Sequence, residues 1–220
     1  MRAAGTATRA VADACDGLAV LVGLASVLFS ALYFASDLIE LAQGGFSTPQ
    51  LAITYAAEAA IPLFVVGLYV VQRPRIGRLG LVGAVAYAYS FVFFASTVVF
   101  ALVSGAKDWK ALDAQLGWWM TIHGGVMVIG GLAFGLAVVR AGALPRWTGA
   151  ALMAGVVLVA ASSALPAIAQ TASAGVRDLA FAGMGSSLII AGQRRRPSRV
   201  QALAVAQTDG ARVGIGVGRS

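Results

Sequence analysis

Long apolar runs separated by short polar breaks dominate this chain. Six stretches stand out, at residues 17–41, 51–71, 79–104, 117–139, 147–170 and 174–191. A bilayer core ~30 Å thick takes about 20 apolar residues in a helix, and each run approaches or exceeds that length. Lipid offers no partner to open backbone groups, so a run of this length is helical. The last run is the weakest, because Arg177 and Asp178 interrupt its start. The breaks are short and rich in turn formers, as in the segments 43–49 and 73–78. Short connections make sequence neighbours pack as antiparallel hairpins. The expected fold is therefore all-α, a polytopic membrane bundle of six transmembrane helices over residues 1–192. A basic tail expected to be disordered follows at 193–220.

Composition agrees. Of 220 residues, 59% are apolar and only 11% are charged, against ~25% charged in soluble domains. A soluble protein would lack the polar groups to cover its surface. The net charge of +7 does not point to nucleic acid, because the basic residues are confined to loops and the tail. Arg2, Arg9, Arg73, Arg75, Arg78, Arg140, Arg146 and the six arginines from Arg194 to Arg219 fall on one side of the expected topology. Lys107, Lys110 and Arg177 fall on the other. The positive-inside rule then puts both termini in the cytoplasm. The first run is too long for a cleaved signal core and is expected to remain as an anchor. Trp118, Trp119 and Trp147 open the fourth and fifth spans, where indole prefers the headgroup boundary. Arg194, Arg195, Arg196 and Arg199 are expected to meet anionic headgroups, each worth about 1 kcal/mol near such a surface.

The cytoplasmic hairpins carry two motifs. One combines Gly67-Leu68-Tyr69 with Gly77-Arg78-Leu79-Gly80-Leu81-Val82-Gly83, and the other is Arg140-Ala141-Gly142-Ala143-Leu144-Pro145-Arg146-Trp147-Thr148-Gly149. Over residues 55–160 the chain is similar to a broad, largely uncharacterised group of small multi-helix integral membrane proteins of high-GC Gram-positive bacteria, of the domain-of-unknown-function type. The resemblance implies a bundle of about six helices in a bacterial plasma membrane, and it implies no catalytic residue. Within the second motif Gly142 is suited to end one helix and Pro145 to start the next.

Ionisable groups inside a span are costly and mark functional candidates. Asp37, Glu40, Glu58 and His123 all fall in the outer half, with Asp178 and Arg177 at the start of the last span. Glu58 lies some 10 Å from the outer end of its helix at ~1.5 Å per residue. Ser26, Ser30, Tyr33, Asp37 and Glu40 recur at steps of four and three, which puts them on one helical stripe. Thr54, Tyr55 and Glu58 form a second polar face at matching depth. These faces predict an outer-leaflet polar pocket between the first, second and fourth spans, floored by Tyr87 and Tyr89. Ligand or proton binding there falls to Asp37, Glu40, Glu58, His123, Tyr33, Tyr55 and Asp178. A structural alternative stands beside it, in which Asp37 and Glu40 reach headgroups and Arg177 pairs with Asp178 or Glu58.

No cofactor is expected. One histidine cannot supply paired haem ligands, a zinc site usually takes more imidazoles, and Cys15, the only cysteine, rules out disulfides within the chain. No catalytic triad spacing or phosphate loop is present, which favours a non-enzymatic role. The glycines 214, 216 and 218 lack the strand and helix that a phosphate cradle needs. The main alternative is a small proton-coupled carrier using Glu58, and after it a metal- or cofactor-binding protein. Small-residue steps at Gly131/Gly135 and Gly183/Ser187 favour close helix contacts within the bundle, while a protein partner or homo-oligomer stays open. Pro62 and Pro166 are expected to bend the second and fifth spans.

Overall fold

The computed structural model describes the backbone of residues 2–215 and the side chains of residues 14–194. The described chain is helical, with no strand: α1 (Arg2–Gln43), α2 (Thr48–Val71), α3 (Gly77–Ser104), α4 (Trp109–Leu116), α5 (Trp118–Ala141), α6 (Arg146–Ser162) and α7 (Ala167–Ile215). The tail contacts expected of Arg195, Arg196 and Arg199 lie outside the described side chains.

Turn chemistry sets the boundaries. Pro49 sits in the first turn of α2, where its missing N–H costs nothing. Gly105 and Gly142 end α3 and α5 in the left-handed conformation, at φ 69° and 56°, and their N–H groups close on the carbonyls of Ala101 and Val138. Asp108 caps α4 by accepting from the Ala111 N–H at 2.7 Å.

The six longer helices form a closed ring. Each packs on the next in sequence, α1 on α2, α2 on α3, α3 on α5, α5 on α6 and α6 on α7, and α7 returns to α1. Glycine lets the backbones meet. A Cβ at Gly23 of α1 would stand 2.7 Å from the carbonyl oxygen of Gly185 in α7. One at Gly135 of α5 would stand 2.7 Å from the carbonyl of Gly149 in α6. Gly131 and Gly183 likewise face neighbours inside the bundle, Val156 and Trp147, so the small-residue steps serve internal packing.

Burial is inverted relative to a soluble bundle. Leu63, Val103, Ile129 and Ile168 are 77%, 84%, 68% and 69% exposed. The interior meanwhile holds Ser26, Ser30, Ser36, Gln50, Thr54, Glu58, Arg177 and Asp178. Such an exterior is stable only against lipid. Five helical segments are long and apolar enough to cross a membrane: Ala14–Gln43, Thr48–Val71, Gly77–Ser104, Trp118–Ala141 and Ala167–Arg194. The chain is accordingly a multi-pass membrane bundle.

Three expectations are corrected. The fifth apolar run does not continue to Gln170, because α6 stops at Ser162 after 17 residues, which is ~25 Å of helix. Pro166 therefore bends no helix and lies in the connection just before α7, where the Ser162 and Pro166 carbonyls accept turn hydrogen bonds. Arg177 and Asp178 do not open a span either, since α7 starts at Ala167 and carries them well inside. Pro62, by contrast, does sit within α2, which continues through it.

Candidate functional site

Tyr33 of α1 and Glu58 of α2 meet inside the ring. The Tyr33 hydroxyl donates to Glu58 Oε1 at 2.7 Å. Glu58 is fully buried, and its Oε2 has no hydrogen-bond partner among the described residues. The carboxylate faces inward because Ala57, Ile61, Phe64, Val65 and Leu68 share the buried side of α2. Pro62 has no N–H, so the Glu58 carbonyl also lacks its intrahelical donor.

Arg177 of α7 enters the same interior from the other side of α1. Its guanidinium carbon is 4.6 Å from the centroid of the Tyr33 ring and 5.7 Å from that of Phe91 in α3, a placement that favours a cation over an aromatic face. Its Nε donates to Asp178 Oδ1 at 3.0 Å, and Nη2 lies at the same distance from that oxygen. Arg177 is 4% exposed and Asp178 5%. Glu58 and Asp37 both lie within electrostatic reach of Arg177. The neighbouring α6 makes room with Gly155, where a Cβ would stand 2.6 Å from the Arg177 backbone N. Tyr87 of α3 completes the cluster. Its ring packs on Phe91 and Phe181, it couples electrostatically to Arg177 and Asp178, and its hydroxyl has no hydrogen-bond partner.

Toward the end of the bundle that carries α4, a polar lane continues from this cluster. Gln50 Nε2 donates to the hydroxyls of Ser36 and Thr54 at 3.1 and 2.9 Å. Thr54 in turn donates to the Gln50 carbonyl at 3.1 Å. Asp37 and Glu40 are half-buried at this end, and Glu40 takes Trp109 of α4 as a side-chain hydrogen-bond partner. Trp109 also meets Phe46 edge-on at 5.7 Å, and the Phe46 N–H donates to the Lys107 carbonyl at 2.7 Å. The α1–α2 and α3–α4 connections are thereby pinned together. Toward the opposite end, Phe64, Leu68, Phe134, Leu152, Phe181 and Met184 fill the interior with apolar side chains. The polar space is thus one-sided.

His123 does not join this site. Its ring stacks on Phe93 at 3.7 Å and 8°, and its Nδ1 is 2.8 Å from the Trp119 carbonyl. A carbonyl only accepts, so Nδ1 carries a proton toward it, and Nε2 lies 3.3 Å from the Tyr89 hydroxyl. Both ring nitrogens are thereby engaged between α3 and α5. The polar cluster is built by α1, α2, α3 and α7, and the fourth apolar span (α5) brings its histidine elsewhere. Of the two tyrosines expected as a floor, Tyr87 takes part and Tyr89 turns outward. Tyr55 also faces out, lining with Ala59, Pro62, Val92, Ala95, Ser96 and Val99 a shallow groove of about 430 Å³ between α2 and α3.

Tyr33, Glu58 and Asp178 are brought together, with Asp37 within reach and Glu40 at the mouth. Arg177, expected at the start of the last span as a partner of Asp178 or Glu58 and not among the ligand- or proton-binding residues, is central to the cluster. Among the described residues, no three His, Cys, Asp or Glu side chains converge as a metal site. No family model, curated protein or solved structure matches the chain.

Proposed function

We propose that this protein is a non-enzymatic, proton-coupled carrier of small solutes, with Glu58 as its proton-binding group. One observation carries this reading: a fully buried carboxyl with one oxygen held by Tyr33 and the other without a partner. A packing residue in that place would be expected to have both oxygens satisfied. Intramembrane carboxyls of this kind mark proton relays. The one-sided lane of Asp37, Ser36, Gln50 and Thr54 supports a single open face, and the apolar plug beyond Phe64 supports closure of the other.

The membrane setting belongs to the same proposal. Six crossings follow if the shorter α6 spans as well, which its apolar character and its place in the ring favour. Thirteen of the 16 basic residues then lie on one side, so both termini are cytoplasmic and the polar lane opens outward. With Arg177 now inside α7, only Lys107 and Lys110 remain in outer connections. The resemblance to membrane proteins of high-GC Gram-positive bacteria supports a bacterial plasma membrane.

The test is transport itself. Purified protein in proteoliposomes on a solid-supported membrane is exposed to pools of amino acids, sugars and organic acids under an inward proton gradient. At least one pool is expected to give a current that Glu58→Gln abolishes. An undiminished current in that variant, or no current from any pool, overturns the carrier reading. A second reading rests on the closed Arg177–Asp178 contact at 3.0 Å, which by itself would serve only to neutralise a buried cation within α7. It gains if both variants of the pair lose folding while Glu58→Gln changes nothing.

A further inference from the structure

Two fully enclosed carboxyl groups, Glu58 and Asp178, face a single cation, and the half-buried Asp37 reaches the same cation from the mouth. Glu58, Arg177 and Asp178 are all buried; Arg177 pairs with Asp178 and lies over the ring of Tyr33, which holds Glu58, while the other buried base among the described residues, His123, is bound away between α3 and α5. Two ionised acids beside one guanidinium would leave an uncompensated negative charge out of water, and two neutral acids would leave the guanidinium uncompensated. Among these three enclosed groups only one arrangement is electrically neutral, with one acid protonated and one ionised.

We infer that Glu58 and Asp178 share one proton across Arg177, so that Asp178 is a second proton-holding site. The geometry gives each carboxyl one engaged oxygen and one free oxygen. Glu58 Oε1 accepts from Tyr33 while Oε2 is unpartnered, and Asp178 Oδ1 accepts from Arg177 while Oδ2 is unpartnered. The proton can therefore sit on either free oxygen without breaking an existing hydrogen bond. Arg177 has no fixed second acceptor, and it lies over the ring of the tyrosine that holds Glu58. It is the counter-ion of whichever acid is ionised. When Glu58 releases its proton, the charge that appears is met by Arg177, and Asp178 takes up a proton in exchange. The two acids are linked through the one guanidinium that acts on both, and the proton belongs to the pair and not to either residue.

The other groups facing the cluster are Tyr33 and Asp37 from α1 and Tyr87 from α3. From α6 and α5 come Gly155 and Gly131, which do not titrate. Asp37 is half-buried near the mouth and is the one further acid that contributes to a carboxyl count there, with Glu40 beyond it.

This inference rests on the proton-binding reading of Glu58, and its test needs no solute. Full-length protein in lipid nanodiscs is examined at neutral pH by infrared spectroscopy of the protonated-carboxyl C=O stretch, in an Asp37→Asn, Glu40→Gln background. The background protein is expected to show one carboxylic acid. Glu58→Gln and Asp178→Asn should each abolish the band, because the remaining acid becomes the sole partner of Arg177. Arg177→Gln should double it. If that variant does not fold, Arg177→Lys should keep the single band, and the two acid variants decide. A band that survives Asp178→Asn, or is absent from the background protein, overturns the shared proton. One acid found as expected with no solute current sinks the carrier alone, and a current without the expected count sinks the shared proton alone.

Discussion

Gly155 of α6 stands against the backbone of Arg177 in α7, and a Cβ there would lie 2.6 Å from the Arg177 nitrogen and 2.7 Å from its Cα. The contact is backbone to backbone, so no flexible side chain can yield. The position of the buried guanidinium is thus set by what its neighbour lacks.

Gly155→Val is expected to push α7 away and destabilise the bundle by about 1–3 kcal/mol, the usual cost of overpacking. Gly124→Ala is the matched control, since nothing lies within 4 Å of a Cβ there. It should be neutral or stabilising by up to about 1 kcal/mol, the helix propensity gained over glycine. Unfolding of both variants in detergent checks the difference, and equal losses would contradict the packing seen here.

Arg177→Met should be the most damaging single change in the cluster. It removes the partner of the buried Asp178, and removing one partner of a buried pair costs about 3–5 kcal/mol. The double variant Arg177→Met, Asp178→Leu should recover much of that loss, because apolar replacements of similar volume often match a buried pair. Thermal denaturation of the three proteins gives the comparison, and a double variant no better than the single one would argue against pairing.

Tyr33→Phe removes the donor to Glu58 Oε1 while keeping the ring beneath Arg177. A loss of about 1–3 kcal/mol is expected for a buried acceptor left unsatisfied. The infrared band of Glu58 should also shift in frequency. His123→Phe should leave that band unmoved, because the imidazole contacts Phe93, Tyr89 and Trp119 and none of the cluster.

The proposed orientation can be read by thiol labelling. Cys15 is the only cysteine, so a Cys15→Ser background is free of thiols. Lys110→Cys should react with an impermeant maleimide added to intact cells, and Arg75→Cys should react only after lysis. Both residues are exposed, Lys110 in the short helix α4 and Arg75 in the turn between α2 and α3. The reverse pattern would invert the topology.

Much of the molecule was legible one helix at a time. The stripe of Ser26, Ser30 and Tyr33 is buried as its spacing requires, and Asp37 and Glu40 are half-buried farther along it. Gly142 ends α5 and the following helix starts at Arg146, just after Pro145. The beginning of α7 was harder to see. Its polar Gln170, Thr171, Ser173, Arg177 and Asp178 dilute the apolar signal, and hydropathy cannot tell a loop from a helix that turns polar groups inward. The run Ser162-Ser163-Ala164-Leu165-Pro166 was the available sign of a turn. Spacing also set Ser173, Arg177 and Ala180 on one face of any helix that followed.

The amino-acid order by itself determined which segments leave water, because the cost of exposing backbone and apolar groups is summed along each helix and needs no knowledge of neighbours. It also determined which positions of a given helix lie on one side. Only the tertiary structure decided which sides face each other. Glu58 came together with Arg177 and not with His123 because α7 closes the ring against α1 through Gly23 and Gly185, while α5 stands on the other side of α3. Close backbone approach at such glycines depends on the shape of both surfaces at once, and that information is carried by no single helix.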